Sequence, residues 1–294
     1  MPSPVARLPG PQLGPLLASY DAAVGQRRRH TLYVLLCIAA AVALSAAAAE
    51  VSPTRLWSNI GRFSSYFERL LHLESGAFVW SDPVEWHWGI GRWLRLLGET
   101  ILMAYVGTAL GAIAAFFLCF LAAANVAPGR WTRVAVRRFC EVCRTVPLLV
   151  FALLFVIAFG LGPLAGVLAV VIHTMGALGK LFAEVIENID MKPVEGIAAT
   201  GAAWPVAMRH GVVPQTASNF VSYTLLRFEI NVRESAVMGF VGAGGIGQDL
   251  IEAIRKFYYS DVSAILLMIL ITVAIIDTLT TRLRHYLIGR EERS

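Results

Sequence analysis

Apolar positions in this chain come in runs too long for a soluble helix. Residues 31–49 carry no charged side chain over 19 residues, 100–129 none over 30 and 145–179 none over 35. A hydrocarbon core of about 30 Å takes about 20 apolar helical residues to cross. Lipid offers backbone groups no partners, so such runs cross as helices and not as open strands. The third run is long enough for more than one crossing. Gly160, Leu161, Gly162 and Pro163 interrupt it. Proline lacks a backbone donor and glycine loosens a helix, so a turn belongs there. The pattern predicts one helix from about Trp131 to Gly160 and another from Pro163 to about Asp190. Two more spans are predicted, from about Val213 to Gly239 and from about Val262 to Arg282. The expected fold class is all-α, a polytopic integral membrane bundle of about six helices.

Composition agrees with that pattern. Hydrophobic residues make up 57% of the chain and charged ones 15%, against about 25% charged in a soluble domain. There is too little charge to cover a water-facing surface, which excludes an ordinary soluble enzyme, and too much apolar content for disorder. The net charge of +5 could point to nucleic acid, but its distribution points to a membrane. Arg27, Arg28 and Arg29 precede the first span; Arg130, Arg133, Arg137 and Arg138 fill the connection after the second; Arg282, Arg284, Arg290 and Arg293 follow the last. Residues 1–30, 125–144 and 282–294 carry +3, +4 and +2. Basic residues stay on the cytoplasmic side, so both termini are expected inside and no nucleic-acid partner is expected. The first run is longer than a signal-peptide core and starts after residue 30, so it reads as a retained span. The expected organisation is a cytoplasmic tail (1–30), a first helix with a periplasmic interfacial segment (31–94), a transmembrane domain (95–285) containing a cytoplasmic loop (190–215), and a second tail (286–294).

Within 50–95, Leu56, Trp57, Ile60, Phe63, Phe67, Leu70 and Leu71 recur at helical spacing, as in an amphipathic helix lying on membrane lipid. Trp57, Trp80, Trp86, Trp88 and Trp93 cluster in the same segment. They read either as a belt at the headgroup level or as a small cap packed on the bundle. Cys37 and Cys119 lie in apolar runs, and Cys140 and Cys143 have no second pair for a tetrahedral site, so no metal is expected.

The connection EGIAATGAAWPVAMRHGVVPQ, from Glu195 to Gln215, does not look like a solvated linker. Ile197, Ala198, Trp204, Val206, Ala207 and Met208 are apolar, and two short helices meeting at Gly201 fit the pattern. Such a segment either docks a partner or packs on its own bundle. It resembles the cytoplasmic signature of bacterial ABC importer permeases, which reads E-A-A, three residues, G, nine residues, I-x-L-P. Glu195, Gly201 and Pro214 keep the spacing, with Val213 in the leucine position. Gly196 and Ile197 replace two alanines, and Gly211 the isoleucine. The stretches KLFAEVIENID (180–190), YTLLRFEINVRES (223–235) and VGAGGIG (241–247) are similar to the permease subunit of phosphonate importers.

That resemblance, over about 95–290, implies a type I ABC importer permease fold in the bacterial inner membrane. It implies a homodimer, two ATP-binding cassette subunits, and a periplasmic or lipid-anchored phosphonate-binding protein. The loop would be the coupling helix, with Glu195, Ala198, Ala199, Gly201, Ala202, Trp204, Gly211 and Pro214 as its contact residues. This chain would be no enzyme: it has no catalytic residues and no G-x-x-x-x-G-K-[ST] cradle, so ATP and Mg would be used by the partner ATPase.

Arg227, Glu229, Asn231, Arg233 and Glu234 fall inside the fifth span. Charges within a span face protein or water. Arg227, Asn231 and Glu234 share one helix face, and Glu229 and Arg233 form an i,i+4 pair. These residues and His173 either pair among themselves or line an anion's path. Arg144 is expected near the inner end of its span, within reach of headgroups, and Asp277 near the inner end of the last. Gly242, Gly244, Gly245 and Gly247 spell G-A-G-G-I-G, with Asp261 further on. A dinucleotide fingerprint needs a strand before it, so a gate or hinge of glycines is expected instead. A membrane-embedded enzyme would need clustered acids or histidines at one interface, and a passive channel would need no ATPase partner.

Overall fold

The computed structural model describes residues 10–291, and every element among them is helical apart from one isolated bridge between His72 and Phe78. Arg293 and residues 1–9 lie outside the described residues. The chain divides into two units, residues 1–66 and 67–294.

The first unit holds α1 (Gly10–Ala48) and most of α2 (Pro53–Leu70). Helix α1 begins well before the charge-free run and contains Arg27, Arg28 and Arg29; its span candidate is Ala18–Ala48. Helix α2 exposes Trp57, Ile60 and Phe63. Ser58, Asn59 and Ser65 return their side chains to carbonyls three or four residues earlier on the same helix.

The second unit begins with a short turn of helix, α3 (Pro83–Trp86), capped by Asp82, and the long α4 (Ile90–Ala122). Then follow α5 (Arg130–Thr145), α6 (Leu148–Phe159) and α7 (Pro163–Glu187). Helices α8 (Lys192–Ala199) and α9 (Trp204–Ala207) lead through a π-helical turn, Met208–Val212, into α10 (Val213–Met238). A 3-10 turn, Gly239–Val241, precedes α11 (Ile246–Lys256) and α12 (Tyr259–Glu291).

Among the described residues, four helices are long and apolar enough to cross a membrane: Ala18–Ala48, Ile90–Ala122, Pro163–Glu187 and Tyr259–Tyr286. The expected third span is not continuous. It is α5 and α6, bent by 87° at Val146 and Pro147. Proline removes a donor and keeps the residue before it out of the helical region, and Val146 is extended at φ −70°, ψ 124°. The turn expected at residues 160–163 is present, with Gly160 at φ 91° and Gly162 at φ 137°. Helix α10 has the length of a span, about 39 Å at a rise of about 1.5 Å per residue, but its charges keep it out of the apolar set.

Small residues let α4 and α7 approach closely. A Cβ added at Gly107 would lie 2.5 Å from the Val170 side chain, and one at Gly111 2.8 Å from that of Thr174. Helix α5 meets α7 the same way: a Cβ at Gly176 would lie 2.7 Å from the Cys140 carbonyl. Cys119, Cys140 and Cys143 are buried in this packing. The two readings of the tryptophans divide by residue. Trp86 and Trp93 are buried with Leu73, Val79, Val262 and Ile265 as a cap, and the Trp86 indole donates to Ser263. Trp57, Trp80 and Trp88 are exposed.

Candidate functional site

Helix α10 carries its charges on two faces. Arg227 donates to Glu234 at 3.3 Å, and Arg233 to Glu229 at 3.1 Å. The pairs are unequal: Arg227 is 12% exposed and Arg233 58%. Between Arg227 and Glu234, the fully buried Asn231 donates to the hydroxyls of Thr108 on α4 and Thr174 on α7, at 2.7 and 2.8 Å. Nothing in the pattern of residues marks those threonines, which sit in charge-free runs; the close approach of α4 and α7 brings them to one point. Arg227 Nε, Asn231 Oδ1 and Ser235 Oγ are buried without a hydrogen-bond partner. They recur every fourth residue, so one stripe of α10 holds unmet polar groups, an arrangement that calls for water or a polar ligand.

His173 on α7 joins this stripe. Its Nδ1 accepts from the Arg227 guanidinium. The Arg144 nitrogen lies 2.8 Å from the Cβ position of Gly176, so the end of α5 is level with a point one helical turn before Lys180 on α7.

The 190–215 segment packs on its own bundle along one side and leaves its other side exposed. Val194, Ala207, Met208 and Val212 are buried against Phe182 and Ile186. Glu195, Ala198, Ala199, Gly201, Val206 and Pro214 are exposed, Ala202 is half-buried, and the partly exposed Trp204 donates its indole N–H to the Val126 carbonyl. Gly201 turns the chain between α8 and α9 at φ 84°, with open space where a Cβ would stand. Gly211 is buried, and its Cβ would lie 3.0 Å from Val194 Cα.

At the opposite end, Gly242, Gly244 and Gly245 take positive φ and fold the chain from α10 back into α11. A helix precedes them, which leaves the glycine pattern without the strand that a dinucleotide site needs. Gly247 packs against the Ala236 carbonyl with 2.3 Å for a Cβ, and the Thr100 hydroxyl accepts from the Ile246 N–H at 2.9 Å. On α11, Lys256 lies 2.6 Å from Glu252; the pairing holds the carboxyl below and the ammonium above their usual ranges. Trp88 donates to Asp261 at 2.9 Å beside them.

Residues 107–293 match the family described as binding-protein-dependent transport system inner membrane component. The chain is 40% identical to the phosphite transport system permease protein PtxC of Stutzerimonas stutzeri, over 67% of this chain and 72% of that one. It is 42% identical to the phosphate-import permease protein PhnE of Mycolicibacterium smegmatis, over 65% of this chain and 36% of that one. A putative cryptic phosphonate transport system permease protein, PhnE2 of Escherichia coli, is 49% identical over 41% of this chain and 99% of its own length. Among solved structures, an inward-facing MetNI methionine ABC transporter chain superposes with TM-score 0.55 at 20% identity, over 66% of this chain and 95% of that chain.

Proposed function

The chain belongs to the family of binding-protein-dependent transport system inner membrane components, and on that footing we propose that it imports phosphonates. It is a multi-pass membrane permease subunit with the ABC importer permease fold. In our reading, alternating access moves the anion inward, driven by ATP hydrolysis on a separate subunit. The observation that carries the cargo is the set of relatives, whose names specify phosphite, phosphate and phosphonate. Phosphite or phosphate is the second reading, on the same observation.

Arg227 supports an anionic cargo. It is nearly buried, holds one carboxylate loosely, and keeps an N–H without a partner. Guanidinium donors suit tetrahedral oxyanions, and a few weak contacts suit passage. Glu229, Asn231, Arg233, Glu234 and His173 shape that site. The glycines at 242–247 serve as the hinge or gate at the outer end. The exposed side of 195–214 seats the ATPase subunit, and the partners are a second copy, two ATPase subunits and a phosphonate-binding protein. The α8–α9 end and both termini face the cytoplasm.

The test is ATP-driven uptake by the complex reconstituted in proteoliposomes, with labelled 2-aminoethylphosphonate, phosphite and phosphate. Phosphonate should be taken up with at least a tenfold higher kcat/KM than the other two. Preference for phosphite or phosphate would overturn the cargo, and no ATP-dependent uptake of any of them would overturn the importer.

A further inference from the structure

We infer that α2 lies flat on the bilayer surface, with its apolar side among the acyl chains and with Arg55 and Arg62 paired to the phosphates of anionic phospholipids. The import reading leaves this helix without a role, and the inference does not depend on the cargo. Register is the first argument. Trp57, Ile60, Phe63 and Phe67 fall on one side of the helix and are 79, 57, 66 and 50% exposed. Thr54, Ser58 and Ser65 fall on the other side. The 18 residues of α2 extend about 27 Å at a rise of about 1.5 Å per residue. That length could cross a membrane, but α2 carries Arg55, Arg62, Glu68 and Arg69 and is not among the described helices apolar enough to do so. A helix with one apolar side and one charged side rests in the interface plane.

The tether is the second argument. The first span candidate ends at Ala48, and α2 starts at Pro53. An extended chain covers at most about 3.6 Å per residue, so the start of α2 stays within about 18 Å of the end of that span. Lipid is therefore in reach of the apolar side at all times. A protein partner that docked and left would return that side to water in each cycle, at the cost of exposing its apolar surface.

Charge is the third argument. Arg55, Arg62 and Arg69 recur every seventh residue, so they line one flank of α2, where its apolar side meets its polar side. Arg69 stands over the Tyr259 ring, 5.6 Å from its centroid. Among the described residues, no carboxylate forms a salt bridge with Arg55 or Arg62. From such a flank an arginine keeps its stem on the apolar side and reaches the headgroups with its charge. Its planar donors match phosphate oxygens. Three arginines against one glutamate leave α2 with a net positive charge, which favours anionic headgroups over zwitterionic ones.

The test uses the whole chain in nanodiscs of mixed phosphatidylglycerol and phosphatidylcholine. The photo-crosslinker p-benzoylphenylalanine replaces Ile60 on the apolar side or Ser58 on the polar side, and mass spectrometry reads the adducts. Position 60 should give at least five times as much phospholipid adduct as position 58. Phosphatidylglycerol should exceed its share of the mixture at least twofold in those adducts. Arg55→Gln with Arg62→Gln should remove that excess and keep the adducts at position 60. Excess inorganic phosphate should change neither result. Adducts at position 60 formed chiefly with a second copy of the chain, or equal lipid adducts at both positions, would overturn the inference. So would an absence of lipid adducts. Adducts that follow the lipid mixture in the parent, or an excess that survives in the double variant, would overturn the pairing of the arginines with anionic lipid. Loss of the excess to inorganic phosphate would overturn it too, and would assign the arginines to a free anion.

Discussion

At the residue scale, the charges of α10 separate by burial. Arg227 and Arg233 are alike in sequence, each with an acid on its own helix. The structure makes Arg227 nearly buried with an unmet donor, and leaves Arg233 in a largely exposed pair. A hydrogen bond to a charged group contributes about 1.5–3 kcal/mol, which is about 10- to 100-fold in rate. An exposed pair contributes about 0–1 kcal/mol. Arg227→Gln should therefore lower uptake at least tenfold, and Arg233→Met by no more than about fivefold. Removing Arg227 alone also strands Glu234, so Arg227→Gln with Glu234→Gln serves as the control. That double variant should assemble normally and still fail to transport; recovered uptake would make Arg227 a structural pair only. Asn231 poses a different balance. Its two interhelical hydrogen bonds contribute roughly 0.6 kcal/mol each in membranes, while its unpartnered oxygen costs a comparable amount. Asn231→Leu should then leave thermal stability in detergent nearly unchanged, within about 1 kcal/mol. A large loss would mean that an ordered water completes the amide.

At the element scale, the pattern of apolar positions located α7 and α10 nearly to the residue, because Gly160, Pro163 and Pro214 mark their ends. It missed the break in the third span. The run from 145 to 179 carries no charge, and a single proline at 147 does not stand out in it. Burial also escaped it: Gly107, Gly111 and Gly176 read as ordinary residues of apolar runs, yet each lies under a side chain or carbonyl of a neighbouring helix. Gly176→Leu should force α5 off α7. Overpacking costs about 1–3 kcal/mol, and the variant should unfold at a clearly lower temperature in detergent. The Gly201 turn predicts the reverse. Its Cβ would meet nothing within 4 Å, so Gly201→Trp strains the φ of 84° by about 1–2 kcal/mol without a clash. The variant should insert and fold while losing substrate-stimulated ATP hydrolysis at least tenfold. Unchanged stimulation would remove the 195–214 segment as the seat of the ATPase.

At the scale of the whole molecule, the charge distribution and the helix directions meet in one arrangement. Arg137 in the middle of α5 pairs with Glu187 at the end of α7 and donates to the Ala122 carbonyl at the end of α4, so two helix ends come together against α5. Trp86 and Trp88 tie the 71–90 segment to the start of α12 at the opposite end. The basic residues 130–138 and Arg282 and Arg284 thus belong to one end, which our reading places in the cytoplasm. In that reading the binding protein meets the end with the cap and the glycine bend. Beside the half-exposed Glu234, Val237 and the following Phe240 are exposed. A path there has one wall in a single chain, and in our reading a second copy across a twofold axis would supply the other. Native mass spectrometry of the detergent-purified complex should give two copies of this chain for every two ATPase subunits. A complex holding one copy with an unrelated permease would replace the second Arg227 with another side chain, and the symmetric path would be lost.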